Sequence, residues 1–189
     1  MKLIKHILFA ILLLIVVQAG AQRPNIILIV SDDHAYQAIG AYGNKFVQTQ
    51  NIDRIANEGV LFNKAYVTNS ICGPSRAVLI TGKYSNKNGF KDNENSRFDS
   101  SQNTFIKELT KSGYQTAWVG KWHLESQPEG FTYWQVLPGQ GQYYNPDFLT
   151  MDGGRKRLEG YVTNIIRRCG GRLAKSPRYY QTFLPRYRP

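Results

Sequence analysis

A continuous apolar run near the N-terminus constrains the fold more than any other feature of the sequence. Residues 25–30 read N-I-I-L-I-V, and the acidic pair Asp32 and Asp33 follows directly after Ser31. An unbroken β-branched run of this length is typical of a central strand buried on both faces of a parallel sheet. The run therefore predicts an α/β domain whose polar residues gather at the carboxyl ends of its strands.

Three helices are predicted downstream, each with a recognisable beginning or end. They cover residues 51–58, residues 74–81 and a stretch from Asn103 or Thr104 to Lys111. Thr and Asn cap helix N-termini, and Pro favours the first helical turn. Glycine commonly ends a helix, and the three segments are followed by Gly59, Gly82 and Gly113.

Two further strands and a long loop complete the predicted order of elements. The short apolar stretches 60–62 and 115–119 favour strands, and the second of these leads into Gly120 and Lys121. The segment 126–150 is rich in Gly, Pro, Tyr and Gln, and it is predicted to be a long loop. Strands and helices joined by short connections indicate one α/β domain with a parallel sheet.

Residues 1–21 have the pattern of a secretory signal peptide. Lys2 and Lys5 precede an apolar run over residues 7–17, and Ala19-Gly20-Ala21 follows it. The run is shorter than the about 20 residues of a transmembrane helix, so no stable membrane span is predicted. We expect cleavage after Ala21 and a periplasmic or secreted product, with an uncleaved anchor as the alternative.

The formal net charge of +11 is concentrated at the two ends of the chain. The segment 22–166 holds 15 basic and 13 acidic residues, whereas 167–189 holds seven basic residues and no acidic residue. A nearly neutral body gives no electrostatic reason to expect a nucleic-acid partner.

The basic segment 167–189 differs in character from the sequence before it. It contains three of the eight Pro residues, and it is predicted to form neither helix nor strand. We interpret it as out-of-frame sequence that follows a frameshift near codon 167. The alternative is a genuine basic tail that binds an anionic glycan or a membrane.

Three polar clusters fall at the predicted strand and helix ends. Asp32 and Asp33 are adjacent carboxylates of the kind that hold a hard divalent cation, although a helix cap and a solvated acid explain them too. Lys121 and His123 follow a strand and lie on one side of it wherever strand alternation persists. Lys supplies a point charge and His a proton donor or acceptor, while a surface Lys and a satisfied core His remain the alternatives.

Cys72 begins the segment C-G-P-S-R, directly before a predicted helix. Helix N-termini stabilise anions, and Arg76 would lie one turn into that helix, so the segment suits a nucleophile that faces an anionic substrate. In an exported protein, however, the pair Cys72 and Cys169 also permits a disulfide.

The stretch from Arg23 to about Asn164 resembles the N-terminal part of a type I, formylglycine-dependent sulfatase. Three motifs carry the resemblance in the family's order: P-N-I-I-L-I-V-S-D-D, C-G-P-S-R-A-V-L-I-T-G-K and G-Y-Q-T-A-W-V-G-K-W-H-L. The intervening text is most similar to bacterial sulfatases of the N-acetylglucosamine-6-sulfatase or mucin-desulfating kind. The resemblance implies the N-terminal part of an alkaline-phosphatase-like α/β/α sandwich with a mostly parallel sheet, covering residues 22–166.

The same resemblance implies roles for individual residues. A maturase would convert Cys72 to formylglycine, whose hydrate attacks the sulfur of a sulfate ester on a sulfated glycan, and Cys72 would then form no disulfide. Asp32 and Asp33, together with the modified Cys72, would hold Ca²⁺. Lys121 would neutralise sulfate charge and His123 would take the proton in the release step. Arg76 would serve recognition by the maturase and steady the formylglycine.

The chain departs from the family in its length. The residues that normally complete the metal site and assist the leaving alcohol are not identifiable in it. We therefore expect the isolated chain to hydrolyse sulfate esters weakly or not at all. The remaining hypotheses are a phosphatase or phosphodiesterase of the same fold, which C-G-P-S-R disfavours, and a non-catalytic secreted protein that binds anions through the basic tail.

Overall fold

The structure is a computed structural model that describes residues 23–175. The chain divides after Gly59 into two compact units. The predicted signal peptide and positions 176–189 of the basic segment lie outside the described residues.

The N-terminal unit is organised around one helix. Two 3-10 turns, Tyr36–Ala38 and Gly40–Tyr42, precede helix α1, Gln50–Glu58, which confirms the predicted helix. Asp53 of α1 accepts a hydrogen bond from the Ala41 amide at 2.7 Å and another from the Thr49 hydroxyl at 2.8 Å. These bonds hold the second 3-10 turn against the first turn of the helix.

The predicted central strand at 25–30 is wrong for this structure. These residues form no helix or strand, and Ile27 and Ile29 are 71% and 78% exposed. The short stretch 60–62 likewise forms no strand. An apolar β-branched run favours a strand, but burial and ladder hydrogen bonds come from neighbouring strands, which a local pattern does not supply.

The helices of the second unit follow the capping signals. Helix α2 is Cys72–Thr81 and ends at Gly82, whose φ of 66° is left-handed. The short helix α3 is Ser85–Asn88, and helix α4 is Phe105–Lys111. The side chain of Thr104 caps α4 by accepting a hydrogen bond from the Lys107 amide. The helices predicted at 74–81 and from Asn103 or Thr104 to Lys111 are confirmed.

A four-stranded sheet forms the second layer of this unit. Its strands, in spatial order, are β1 (Ala117–Lys121), β2 (Tyr133–Leu137), β3 (Asp147–Thr150) and β4 (Arg155–Arg157). The β1–β2 pairing is parallel, and the β2–β3 and β3–β4 pairings are antiparallel. The α/β class is confirmed, and the sheet in the described residues is mixed rather than mostly parallel, because two of its three pairings are antiparallel.

Two sequence predictions near this sheet need correction. The strand expected at 115–119 lies two residues later, and the loop expected at 126–150 contains β2 and β3. The glycines and prolines of this stretch lie outside the strands, as do Tyr143 and Tyr144, whereas Tyr133 begins β2. Trp134, Val136 and Phe148 are buried, so part of the aromatic content packs in the core.

Helix α5, Val162–Lys175, continues past the boundary at residue 167. The prediction of no regular structure is therefore wrong for 167–175. Val162, Ile165, Ile166 and Cys169 have helical spacing and pack with Leu137 and Phe148. The apolar helical period of α5 is not apparent from the sequence because it spans residue 167, where the sequence becomes strongly basic.

The main core lies between α2, α4 and the first two strands. Its fully buried members include Ala77, Phe90 and Leu124. Trp122 packs edge to face against Trp118 and Phe131, with ring centroids 5.2 and 5.9 Å apart. This packing fixes the segment that follows β1 against β1 itself and against the residues that lead into β2. Across residues 23–175, no helix is both long and apolar enough to cross a bilayer.

Candidate active site

Cys72 is the first residue of helix α2. The preceding residue, Ile71, provides no side-chain cap, and the amide of Gly73 donates to Asn93 Oδ1 at 2.9 Å. The first amides of a helix have no acceptor within the helix, and they give its N-terminus a partial positive charge. The local fold thus places Cys72 where negative charge is stabilised.

Gly73 brings the helix start close to the segment after β1. A Cβ atom at this position would lie 2.5 Å from Phe90 Cε1, 2.7 Å from the His123 carbonyl oxygen and 2.8 Å from Asn93 Oδ1. The absence of a side chain at Gly73 therefore allows the backbone of His123 to lie directly against the helix. This contact sets the distance between Cys72 and the end of β1.

Arg76 is 7% exposed, and its Nη1 atom donates to the Cys72 carbonyl oxygen at 2.9 Å. A buried guanidinium with a charge-assisted hydrogen bond restricts the movement of the residue that it contacts. Arg76 thus holds the backbone of Cys72 and brings a positive charge into the first turn of the helix.

Lys121 is the last residue of β1, and its ammonium reaches the start of α2. The Nζ atom lies 3.3 Å from Cys72 Sγ, and it also donates to Gln140 Oε1. The Trp118 indole donates to the Lys121 carbonyl oxygen at 3.0 Å, which secures the backbone of Lys121. The structure therefore brings together two residues that the sequence had placed in separate clusters.

His123 lies two residues beyond the strand and has a φ of 55°. The left-handed backbone means that strand alternation does not extend to this residue, so alternation does not explain its position. The side chain is half-buried, with its Nδ1 atom inaccessible to solvent. His123 contacts the site through its backbone at Gly73, which was not foreseen from the sequence.

Asp32 and Asp33 lie in an exposed turn of the N-terminal unit, and Asp33 has a φ of 50°. Nearby, Ser31 Oγ and His34 Nδ1 are 3.1 Å apart. Calcium takes six to eight oxygen ligands, and two carboxylates are the right type of donor. Among residues 23–175, however, no three His, Cys, Asp or Glu side chains form a group that could hold a metal. The described residues do not assemble a complete metal site.

Both cysteines are free thiols in the structure. Cys169 is half-buried in α5, and burial raises the pKa of its thiol above the usual value of 9.0. Burial in an apolar environment disfavours the charged thiolate. Cys169 is therefore a packing residue beside β2 and is poorly suited to act as a nucleophile.

Comparison with known proteins identifies the family. The sulfatase family model matches residues 24–167. This chain belongs to the sulfatase family. The N-acetylglucosamine-6-O-sulfatase of Bacteroides thetaiotaomicron is 52% identical to this sulfatase over 148 residues, and N-acetylgalactosamine-6-sulfatase of Rattus norvegicus is 38% identical over 139 residues. These alignments cover 77% and 64% of the sulfatase chain.

A solved structure gives the same result for the fold. BT4656 in complex with its substrate D-glucosamine-2-N,6-O-disulfate is similar with a TM-score of 0.78 and 49% identity. The match covers 82% of this sulfatase and 32% of BT4656, and it confirms the expected alkaline-phosphatase-like architecture. The chain spans about a quarter of the length of the curated relatives that it matches, 26% in both examples.

Two residues of this sulfatase site were missed by sequence reasoning. Asn93 holds the Gly73 amide, and Gln140 holds the Lys121 ammonium. Asn93 lies in the polar stretch K-D-N-E-N-S, and Gln140 in P-G-Q-G-Q. Neither loop has a periodic pattern, and the only signal was the Gly-rich turn around Gln140, which indicates an ordered connection rather than a site.

Proposed function

We propose that this chain is part of an exported sulfatase that hydrolyses a 6-O-sulfate ester on an N-acetylglucosamine-type unit of a sulfated glycan. The substrate assignment is supported by the relative at 52% identity, an N-acetylglucosamine-6-O-sulfatase. It is also supported by BT4656, whose substrate is a 6-O-sulfated glucosamine. Sulfate-ester hydrolysis itself rests on family membership together with the local geometry at Cys72.

One observation carries the proposal. C-G-P-S-R forms the start of α2, so that Cys72 lies at a helix N-terminus, and the Lys121 ammonium is 3.3 Å from its Sγ atom. A helix N-terminus and an ammonium on the same atom make a site for an anionic reacting group. Cys169, in contrast, lies in the interior of α5 and packs against the cluster that contains Leu137 and Phe148, away from a helix N-terminus.

In the proposed mechanism a maturase, with an external oxidant, would oxidise Cys72 to formylglycine, whose hydrate would supply an oxygen nucleophile for the sulfur of the ester. Lys121 contributes positive charge next to that position and lowers the energy of the negatively charged transition state. Arg76 holds the backbone of residue 72 through its hydrogen bond to the carbonyl oxygen, which restricts the movement of the residue that carries the reacting group. His123 accepts the proton that leaves when sulfate is released.

The proposal includes a calcium ion that the carboxylates of Asp32 and Asp33 would hold. The acidic pair supplies hard oxygen donors, which is the ligand type that calcium prefers. The ion would act as a Lewis acid on the sulfate oxygens. Further ligands are needed, because the described residues offer no group of three ligating side chains.

Export is proposed from the basic, apolar and small-residue segments of residues 1–21. The partners that follow are the secretion machinery, the formylglycine-generating maturase and a sulfated carbohydrate. The product would act in the periplasm or outside the cell, where sulfated glycans are accessible.

Co-expression of the chain with a formylglycine-generating maturase tests the proposal. We expect the mass of the peptide that contains Cys72 to change by the replacement of one sulfur by oxygen with loss of two hydrogens. The matured chain should bind N-acetylglucosamine-6-sulfate more tightly than N-acetylglucosamine-6-phosphate, and hydrolysis by the chain alone should be weak or absent.

Cys72→Ala is the matched control for both readouts, because it removes the modified atom and leaves the helix intact. An unchanged peptide mass beside a fully converted reference sulfatase would overturn the proposal. Preference for the phosphate ester would instead favour a phosphatase of the same fold. Anion binding that survives Cys72→Ala and depends on the basic segment would favour the non-catalytic alternative.

A further inference from the structure

A loop that follows β2 reaches the candidate active site. Leu137 pairs in register with Lys121, so the chain leaves β2 beside the end of β1. Three residues later, Gln140 Oε1 accepts a hydrogen bond from the Lys121 ammonium, which lies 3.3 Å from Cys72 Sγ. The ammonium therefore joins three elements: β1, the loop after β2 and the start of α2.

The turn that carries Gln140 is fixed by packing. The Gly141 amide donates to the Pro138 carbonyl oxygen at 3.0 Å, and Gly139 and Gly141 have φ values of 52° and 76°. A Cβ atom at Gly141 would lie 2.8 Å from Leu137 Cδ1, so the turn folds back onto a buried residue. Left-handed backbone at these two positions favours glycine. Gln140 is thus presented from an ordered turn even though its side chain is exposed.

We infer that Gln140 is a positioning residue that holds the Lys121 ammonium beside residue 72 without adding negative charge to the site. A carboxylate at position 140 could accept the same hydrogen bond. It would also offset the positive charge that an anionic group meets beside residue 72. An amide fixes the direction of the ammonium and leaves its charge available, which matters for a sulfate ester if the proposed function holds.

Alkylation of the Cys72 thiol tests this inference independently of catalysis. The chain is produced without a maturase and labelled with iodoacetate, an anion, or with iodoacetamide, a neutral reagent of similar size. In both reactions the thiolate sulfur attacks the CH₂ carbon, a carbon–sulfur bond forms and iodide leaves. Both reagents react with the same thiolate, so the ratio of their rates at Cys72 reports the charge beside Sγ. Peptide mass mapping separates Cys72 from Cys169.

We expect Lys121→Ala to lower the iodoacetate-to-iodoacetamide rate ratio at Cys72 about fivefold, the factor for a unit charge about 4 Å away in a water-like medium. Gln140→Glu should lower the ratio by a similar factor, since its carboxylate offsets the ammonium charge. Gln140→Ala should give a smaller decrease, because the ammonium keeps its charge but loses its fixed position. Gln142→Glu is the matched control, since it adds the same charge to an exposed position on the same loop, and its ratio should stay close to the wild-type value.

A Gln140→Glu ratio equal to that of wild type would overturn the inference, and so would an equal decrease in Gln142→Glu. Tryptophan fluorescence verifies that each variant is folded, because all three Trp residues lie in the same unit as the site. The labelling result does not depend on maturation or turnover. A lower ratio in Gln140→Glu, combined with an unchanged mass of the Cys72 peptide after co-expression with a maturase, would support the role of Gln140 and refute the proposed function.

Discussion

The Nζ atom of Lys121 lies 3.3 Å from Cys72 Sγ, although the two residues are 49 positions apart in the sequence. Lys121 is the last residue of β1 and Cys72 is the first residue of α2, so the end of a strand and the start of a helix meet at the Cys72 thiol. The contact depends on a small number of supporting residues. Substitutions at those supporting residues, rather than at Cys72 itself, test whether they hold the start of α2 and the end of β1 in place.

The buried guanidinium of Arg76 should contribute strongly to stability. Arg76→Ala removes a hydrogen bond to the Cys72 carbonyl and leaves a void, with an expected loss of about 2 kcal/mol in the free energy of unfolding. Arg76→Lys should recover only part of this, because an ammonium does not reproduce the guanidinium geometry. Urea unfolding followed by tryptophan fluorescence measures both. Arg54→Ala is the control, since Arg54 is exposed and forms only a 3.9 Å surface pair with Glu58; a similar loss in that variant would contradict the prediction.

Two substitutions of Asn93 should change the stability of the second unit in opposite directions. Asn93→Ala removes the acceptor of the Gly73 amide and should destabilise the second unit by about 1 kcal/mol. Asn93→Asp keeps the acceptor and adds negative charge at a helix N-terminus, which should stabilise by a few tenths of a kcal/mol. Asn95→Ala in the same loop serves as the control, and chemical denaturation provides the comparison. Destabilisation of equal size by Ala and Asp would argue against the capping role.

Tyr133 should make the second unit sensitive to alkaline pH. Burial raises the pKa of its phenol from 10.0 to about 12, and its hydroxyl donates to Gln135 Oε1 at 2.8 Å. Between these two values the unfolded chain has lost the proton and the folded chain has kept it, so stability falls as the pH rises. Tyr133→Phe should therefore flatten the decrease in the urea midpoint as the pH rises from 10.0 to about 12. Tyr66→Phe, at an 88% exposed side chain, should follow the wild-type profile. Parallel profiles for wild type and Tyr133→Phe would contradict the assignment.

Calcium should bind weakly to this chain. Asp32 and Asp33 provide two carboxylates, whereas sites with a complete oxygen shell reach a Kd of about 1 mM or tighter. We expect a Kd weaker than about 1 mM by calorimetry, and a further loss in the double variant Asp32→Asn, Asp33→Asn. Micromolar binding would show that the chain assembles more ligands than the described residues suggest.

The proposed frameshift near codon 167 can be tested from the gene. Reading all three frames beyond codon 166 should reveal a frame that continues with an acidic helix, then an Asp followed by Asn or His, and then a Lys. Closure of every frame soon after codon 189 would contradict the proposal. The basic segment would then require a role of its own.

Local signals in the sequence predicted the helices well and the sheet poorly. Pro74, Thr104 and the terminal glycines act within one turn of the chain, so they specify α2 and α4 without help from distant residues. The run at 25–30 has equally strong local character, but a strand needs partners that the local sequence does not supply. Helix α5 was missed because its apolar period crosses an abrupt change in charge.

In the candidate site, likewise, residues within short motifs could be predicted from the sequence and residues in loops could not. Cys72, Arg76 and Lys121 were identified from short motifs, and the structure brings them together. Asn93 and Gln140 act through one side-chain oxygen each, from loops whose paths depend on tertiary packing. A single polar residue in such a loop has no distinguishing pattern in the sequence.

The exposed segment 25–30 also has a consequence for encounters between copies of the chain. N-I-I-L-I-V contains no charge and no proline, and its β-branched side chains can interdigitate across two flat layers. Segments of this length and composition form the dry zippers of cross-β fibrils when their backbone groups are accessible. In this structure the six residues are exposed and belong to no strand, so a segment that a sheet would protect is open to pairing with a second copy and prone to fibril formation.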